Sequence, residues 1–78
     1  MTDILRAAAK ATEEASQHVI NAKIAVEDFF NIGTNAAGVY MNPPAQLRDL
    51  EAARDELNKA MAIMRGTAWP SEGDYHAL

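Results

Sequence analysis

Nine residues in the first half of the chain, Ile4, Ala8, Ala11, Ala15, His18, Ala22, Ala25, Phe29 and Ile32, follow one another at alternating steps of four and three. That alternation is the heptad signature of a helix whose stripe faces another helix. Five of the nine are alanine. Alanine lets helix axes approach closely but buries little apolar area per residue, so the stripe predicts close packing with little hydrophobic yield. A second apolar stripe, Leu5, Val19, Val26 and Phe30, extended by Ile20 and Ile24, runs along the same segment. A helix that is apolar on two faces contacts two neighbours. The expectation is that one neighbour is the chain's own second helix and the other a second copy. The alanine stripe, from Ile4 to Phe29, is assigned to the contact between copies.

Size supports that expectation. A core built from 78 residues is marginal without a disulfide, a metal or oligomerisation. The chain has no cysteine, so disulfides and thiolate metal sites are excluded. Two histidines, His18 and His76, are too few for a zinc cluster unless acids or other subunits help. No metal or other cofactor is expected, and a homo-oligomer is.

No proline or glycine interrupts the chain from Thr2 to Ile32, which predicts one helix over 2–32 with Thr2 or Asp3 as its cap. Lys10 and Glu14, and Lys23 and Glu27, are placed to pair one turn apart. Residues 33–42 read as a loop containing Gly33 and Gly38. Asn42 followed by Pro43 opens a second helix over 43–65, with Gly66 to cap it and Pro70 to prevent continuation. Its apolar positions are Leu47, Leu50, Ala53, Leu57, Ala60, Met61 and Met64. A tail, 66–78, carries Trp69, Tyr75 and His76. The fold class is therefore all-α: a single two-helix antiparallel hairpin that assembles into a homo-oligomeric helical bundle.

Charge narrows the function. Seven Lys and Arg against eleven Asp and Glu leave a net charge of −4, the wrong sign for nonspecific binding to duplex DNA. No apolar run approaches the ~20 residues that span a bilayer. The first residues lack the basic region and apolar stretch of a secretory signal, which predicts a cytoplasmic protein. No Ser-His-Asp or Cys-His set can be nominated, and Glu13-Glu14 reads as surface charge, so no enzymatic activity is expected.

Other signals have two readings each. His18, on the stripe, either fixes register through a hydrogen bond or forms a symmetric pair that binds metal or senses pH. The loop Gly33-Thr34-Asn35-Ala36-Ala37-Gly38 either connects helices or presents backbone N–H groups to phosphate. Arg48, Arg54 and Arg65 either form a solvated face with Glu51, Asp55 and Glu56 or converge on an anion across subunits. Tyr40, Trp69 and Tyr75, outside the helices, either pin their segments down or stack on nucleobases.

Within the second helix, Ala53-Arg54-x-x-Leu57-x-x-Ala60-Met61-x-x-x-Arg65, followed by Trp69-Pro70, resembles the small phage proteins that block CBASS immunity by sequestering cyclic oligonucleotides. Asn42-Pro43 and Ile20-Asn21-x-Lys23 fit the same pattern. The resemblance covers some twenty-five residues. It implies helical hairpins that form compact oligomers with cyclic di- or trinucleotides held between protomers. It also implies Arg54, then Lys23, as phosphate contacts. Tyr40, Trp69 and Tyr75 are the chemical candidates for contacting bases. The rival expectation is a small acidic helical inhibitor or adaptor that binds a host protein surface. Basic residues interspersed with the acids weigh against a phosphate mimic. A purely structural oligomerisation module is the third.

Overall fold

A computed structural model describes residues 3–73 of the chain and shows two antiparallel helices, α1 (Asp3–Ile32) and α2 (Pro43–Arg65). Thr2, the other candidate cap of α1, lies outside the described residues. The hairpin is a rod, with principal extents of 59 × 18 × 14 Å.

Local chemistry explains where each helix stops. Gly33 follows α1 with φ +73, a left-handed conformation that a side chain strains to adopt. Asn42 caps α2 by accepting a hydrogen bond from the Ala45 N–H at 3.3 Å, and Pro43 and Pro44 occupy the first turn, where no N–H is needed. At the far end the Gly66 N–H donates to the Ala62 carbonyl at 3.0 Å. The next residues supply more donors to α2's terminal carbonyls. The Thr67 hydroxyl donates to Ile63 O at 2.6 Å, and Trp69 Nε1–H donates to Met64 O at 2.9 Å. The segment after α2 is thereby folded back onto the helix end.

The alanine stripe faces inward. Leu5, Ala8, Ala15 and Ala22 of α1 and Ala53 and Ala60 of α2 are buried, and Ile4, Ala11, His18, Ala25 and Phe29 are half-buried alongside them. The matching stripe on α2 is Gln46, Asp49, Ala53, Glu56, Ala60 and Ile63, at steps of three and four. This corrects the assignment of Ile4, Ala8, Ala11, Ala15, His18, Ala22, Ala25 and Phe29 to a contact between copies. The chain's own second helix occupies that stripe. The physical reason is fit: small residues on both helices, Ala8, Ala15 and Ala22 against Ala53 and Ala60, let the two helices close on each other. The resulting core is thin, with no large side chain fully buried among the described residues.

Of the other apolar stripe, Leu5 is buried and Val26 half-buried, and the rest is left uncovered. Val19, Ile20, Ile24 and Phe30 on α1 are exposed, and so are Leu47, Leu50, Leu57, Met61 and Met64 on α2. No helix among the described residues is long and apolar enough to cross a membrane.

Candidate functional site

The rod has two long edges with different chemistry, each set by what flanks the alanine stripe. On one edge His18 and Glu56 meet across the helices, with His18 Nδ1 2.5 Å from Glu56 Oε2. An ionised carboxylate can only accept, so Nδ1 carries the proton. Asn21 Nδ2 donates to the same oxygen at 3.4 Å, and Asn21 is itself oriented by Gln17 Nε2 at 3.1 Å. Lys59 Nζ lies 3.5 Å from Glu56 Oε1. His18 thus resolves to the register-fixing reading within one chain. Among the described residues no three His, Asp or Glu side chains group as a metal requires.

The Glu56 carboxyl is held below its ordinary range, chiefly by the hydrogen bond from His18 and opposed by partial desolvation, with Asn21 and the Lys59 charge helping. A carboxyl whose pKa is lowered on folding adds stability above its unfolded pKa, and that stability is lost as pH falls through the folded value. The melting temperature is therefore expected to fall on acidification below the ordinary glutamate range. Glu56→Gln should flatten that dependence. Thermal melts of both proteins across the acid range check it, and parallel curves would show that another group carries the effect.

The opposite edge is apolar. Near the open end of the hairpin it forms a groove of about 640 Å³ lined by Thr12, Ala15, Ser16, Val19, Ile20, Met64 and Trp69. Thr12 directs its hydroxyl to Ala8 O at 2.8 Å, which leaves its methyl to the groove wall. Trp69, with its N–H already bonded to Met64 O, offers its ring.

Cations border this edge: Arg65 at the open end, where its Nη2 lies 3.9 Å from Met61 Sδ, and Lys23 and Arg54 farther along. Helical spacing puts Lys23 one turn beyond Val19, and Arg54 between Leu50 and Leu57. The contacts His18–Glu56 and Gly33–Gln46 fix the register of the two helices. Between those levels, Lys23 and Arg54 fall nearly opposite each other. Both are well exposed. Lys23 Nζ lies 3.9 Å from Glu27, and Arg54 Nη2 lies 3.2 Å from its sequence neighbour Asp55. Exposed pairs of this kind contribute little and are readily exchanged for another anion.

The aromatic candidates are scattered. Tyr40 sits at the loop end, edge-on to Phe29 with ring centroids 5.5 Å apart. Trp69 sits at the opposite end, so one chain cannot bring both to a single small ligand. Tyr75 and His76 lie outside the described residues. Much of the loop's hydrogen bonding is turned inward. Asn35 Oδ1 accepts from Ala37 N and Val39 N at 2.9 and 3.1 Å, and Gly38 N donates to Asn35 O at 3.0 Å. Its reading as a helix connection stands.

Gln46 carries no signal in the sequence beyond its place one turn into α2, yet it is the buried polar side chain among the described residues, 2% exposed. Its Nε2 donates to Gly33 O at 3.1 Å, and its Oε1 accepts from Asn42 N at 3.0 Å. It ties the end of α1 to the start of α2 and so fixes the register on which the placement of Lys23 opposite Arg54 depends.

No known protein family, curated protein or solved structure matches the chain.

Proposed function

We propose that this chain is a non-enzymatic, phage-type counter-defence protein that works as a homo-oligomer and sequesters a cyclic di- or trinucleotide between protomers. The observation that carries the reading is that Lys23 and Arg54, exposed cations beside apolar side chains, pair only with the surface carboxylates Glu27 and Asp55. A cyclic oligonucleotide combines charged phosphates with flat apolar bases, and that edge sets exchangeable cations beside the exposed apolar side chains of Val19, Leu50 and Leu57. The resemblance carried by Ala53-Arg54-x-x-Leu57-x-x-Ala60-Met61 supports the same class of ligand. The scatter of Tyr40 and Trp69 along the rod favours a site completed by a second protomer. His18, the histidine of the described residues, is engaged by Glu56 on the far edge, away from these cations, which favours binding without cleavage.

Calorimetry with a panel of cyclic di- and trinucleotides tests the reading, with native mass spectrometry of the protein as purified from cells. At least one ligand is expected to bind uncleaved, and more weakly as salt rises. Arg54→Ala should weaken that binding by about 10- to 100-fold, the range for losing a hydrogen bond to a charged group, while leaving the melting temperature nearly unchanged. No heat and no thermal shift across the panel would overturn the proposal. A host protein co-purifying in its place would put the inhibitor reading first.

A further inference from the structure

We infer that the apolar edge is closed by a second copy of this chain, the two hairpins packing side by side in opposite directions into a four-helix bundle. The inference shares the homo-oligomer with the proposed function and rests on that reading only for what the bundle holds.

A compact monomer of 8.5 kDa is expected to expose about 4,700 Å². This chain exposes 5687 Å². The excess comes with the rod shape, 59 × 18 × 14 Å, and side-by-side pairing of two rods is the packing that removes it; a standard stable interface buries roughly 800 Å² per partner. The excess is not spread evenly, since one side of the rod carries the charged network of His18 and Glu56 and the other carries the uncovered apolar side chains.

The groove, with Val19, Ile20, Met64 and Trp69 in its wall, lies toward the open end. Leu47 and Leu50, 57% and 43% exposed, project near the loop end of the same edge. A groove at one end and a ridge at the other make the edge self-complementary when a copy is turned end for end. A two-fold axis then seats the ridge of each copy in the groove of its partner, a closed isologous contact. A single small ligand would fill the groove and leave the ridge uncovered, whereas a second copy covers both.

The axis of such a pair passes near the level of Lys23 and Arg54, midway between groove and ridge. The cations of both copies converge there, and Glu27 and Asp55 beside them limit their repulsion. An anion held at that point would be gripped from two chains, so the ligand site is incomplete in one chain.

Sedimentation of the ligand-free full-length protein is the test, with the fluorescence of Trp69, the chain's single tryptophan, as a local reporter. A dimer or a multiple of it is expected, with Trp69 emission shifting to the red on dilution as the groove empties. Ile20→Glu and Leu50→Glu should each raise the dissociation constant about a hundredfold or more, because each buries a carboxylate without a partner. Ala62→Glu, on an exposed position of α2 away from the edge, should leave it unchanged. Ile20→Ser serves in place of Ile20→Glu should the latter lose its helicity. A folded monomer at high micromolar concentration, empty or carrying another molecule, overturns the inference. So does an oligomer that survives both edge substitutions. Absence of nucleotide binding by an intact dimer would overturn the proposed ligand and leave the interface standing.

Discussion

Ala22→Glu is expected to unfold the hairpin rather than merely dissociate it. Ala22 is 3% exposed, on the stripe that α2 covers with Ala53 and Ala60. The helices approach closely there because the side chains that meet are small. A glutamate would have to push the axes apart or bury a carboxylate with no partner, at a cost of several kcal/mol. Small domains hold only about 5–15 kcal/mol in total, and this one, with its thin core, belongs at the low end. Helical circular dichroism should therefore fall at concentrations where the wild type is folded, and urea unfolding should lose its cooperative transition. Ile20→Glu, two residues away on the same helix, makes the contrast. Ile20 is half-exposed on the edge, so that variant should lose assembly while retaining more of its helix. An Ala22→Glu protein with a wild-type melting curve would mean that the helices do not close on the alanine stripe.

The contrast between Ala22 and Ile20 also marks what the sequence makes legible. The helices are written in it plainly. Asp3 to Ile32 contains neither proline nor glycine, and Asn42-Pro43 leaves little choice about where α2 begins. The period of the alanine stripe is equally plain. Its partner is not, because the facing positions of α2 are Gln46, Asp49, Ala53, Glu56, Ala60 and Ile63. Half of these are polar, so a count of apolar residues favours Leu47, Leu50, Leu57, Met61 and Met64 as the inner face. Close approach of axes selects small side chains over hydrophobic ones, and two of the polar members find partners in the seam: Glu56 in His18, Gln46 in the ends of the loop. The leucines and methionines are left outside. The placement of Lys23 opposite Arg54 is out of reach of the sequence for a related reason. Each is visible alone as a cation on a helix, but their relative level depends on how the loop between the helices folds. That loop turns back through Gly33 and Gly38, both at positive φ, and a bridge between Thr34 and Tyr40. The role of Trp69 as an anchor is open in the sequence, and its N–H bond to Met64 O accounts for one end of the ring.

The loop's dependence on one side chain leads to the second large effect, at Gln46. Gln46→Leu keeps the volume and the helix propensity but removes the acceptor of the Asn42 N–H and the donor to Gly33 O. Gly33 O retains its bond from Met41 N at 3.1 Å, so the principal loss is the bond to the Asn42 N–H at the helix start, worth about 0.5–1.5 kcal/mol. Gln46→Glu separates the two bonds. The introduced carboxylate still accepts from Asn42 N, and does so more strongly, but its second oxygen faces the Gly33 carbonyl where a donor stood. Two acceptors in a buried contact repel, which favours the protonated acid and raises the pKa of the introduced carboxyl in the folded state. The sign then follows from linkage: a carboxyl whose pKa is raised on folding is destabilising above that pKa and recovers as pH falls through it. Gln46→Glu should thus be less stable than wild type at neutral pH and approach it in acid, where the new O–H can donate to Gly33 O. The wild type loses stability in acid through Glu56, so the two curves should converge from opposite trends. Denaturant unfolding of the three proteins at neutral and acid pH reads this directly. If Gln46→Glu instead weakens further in acid than wild type does, Gln46 does not hold Gly33 O, and the register that sets Lys23 opposite Arg54 must come from the His18–Glu56 contact alone.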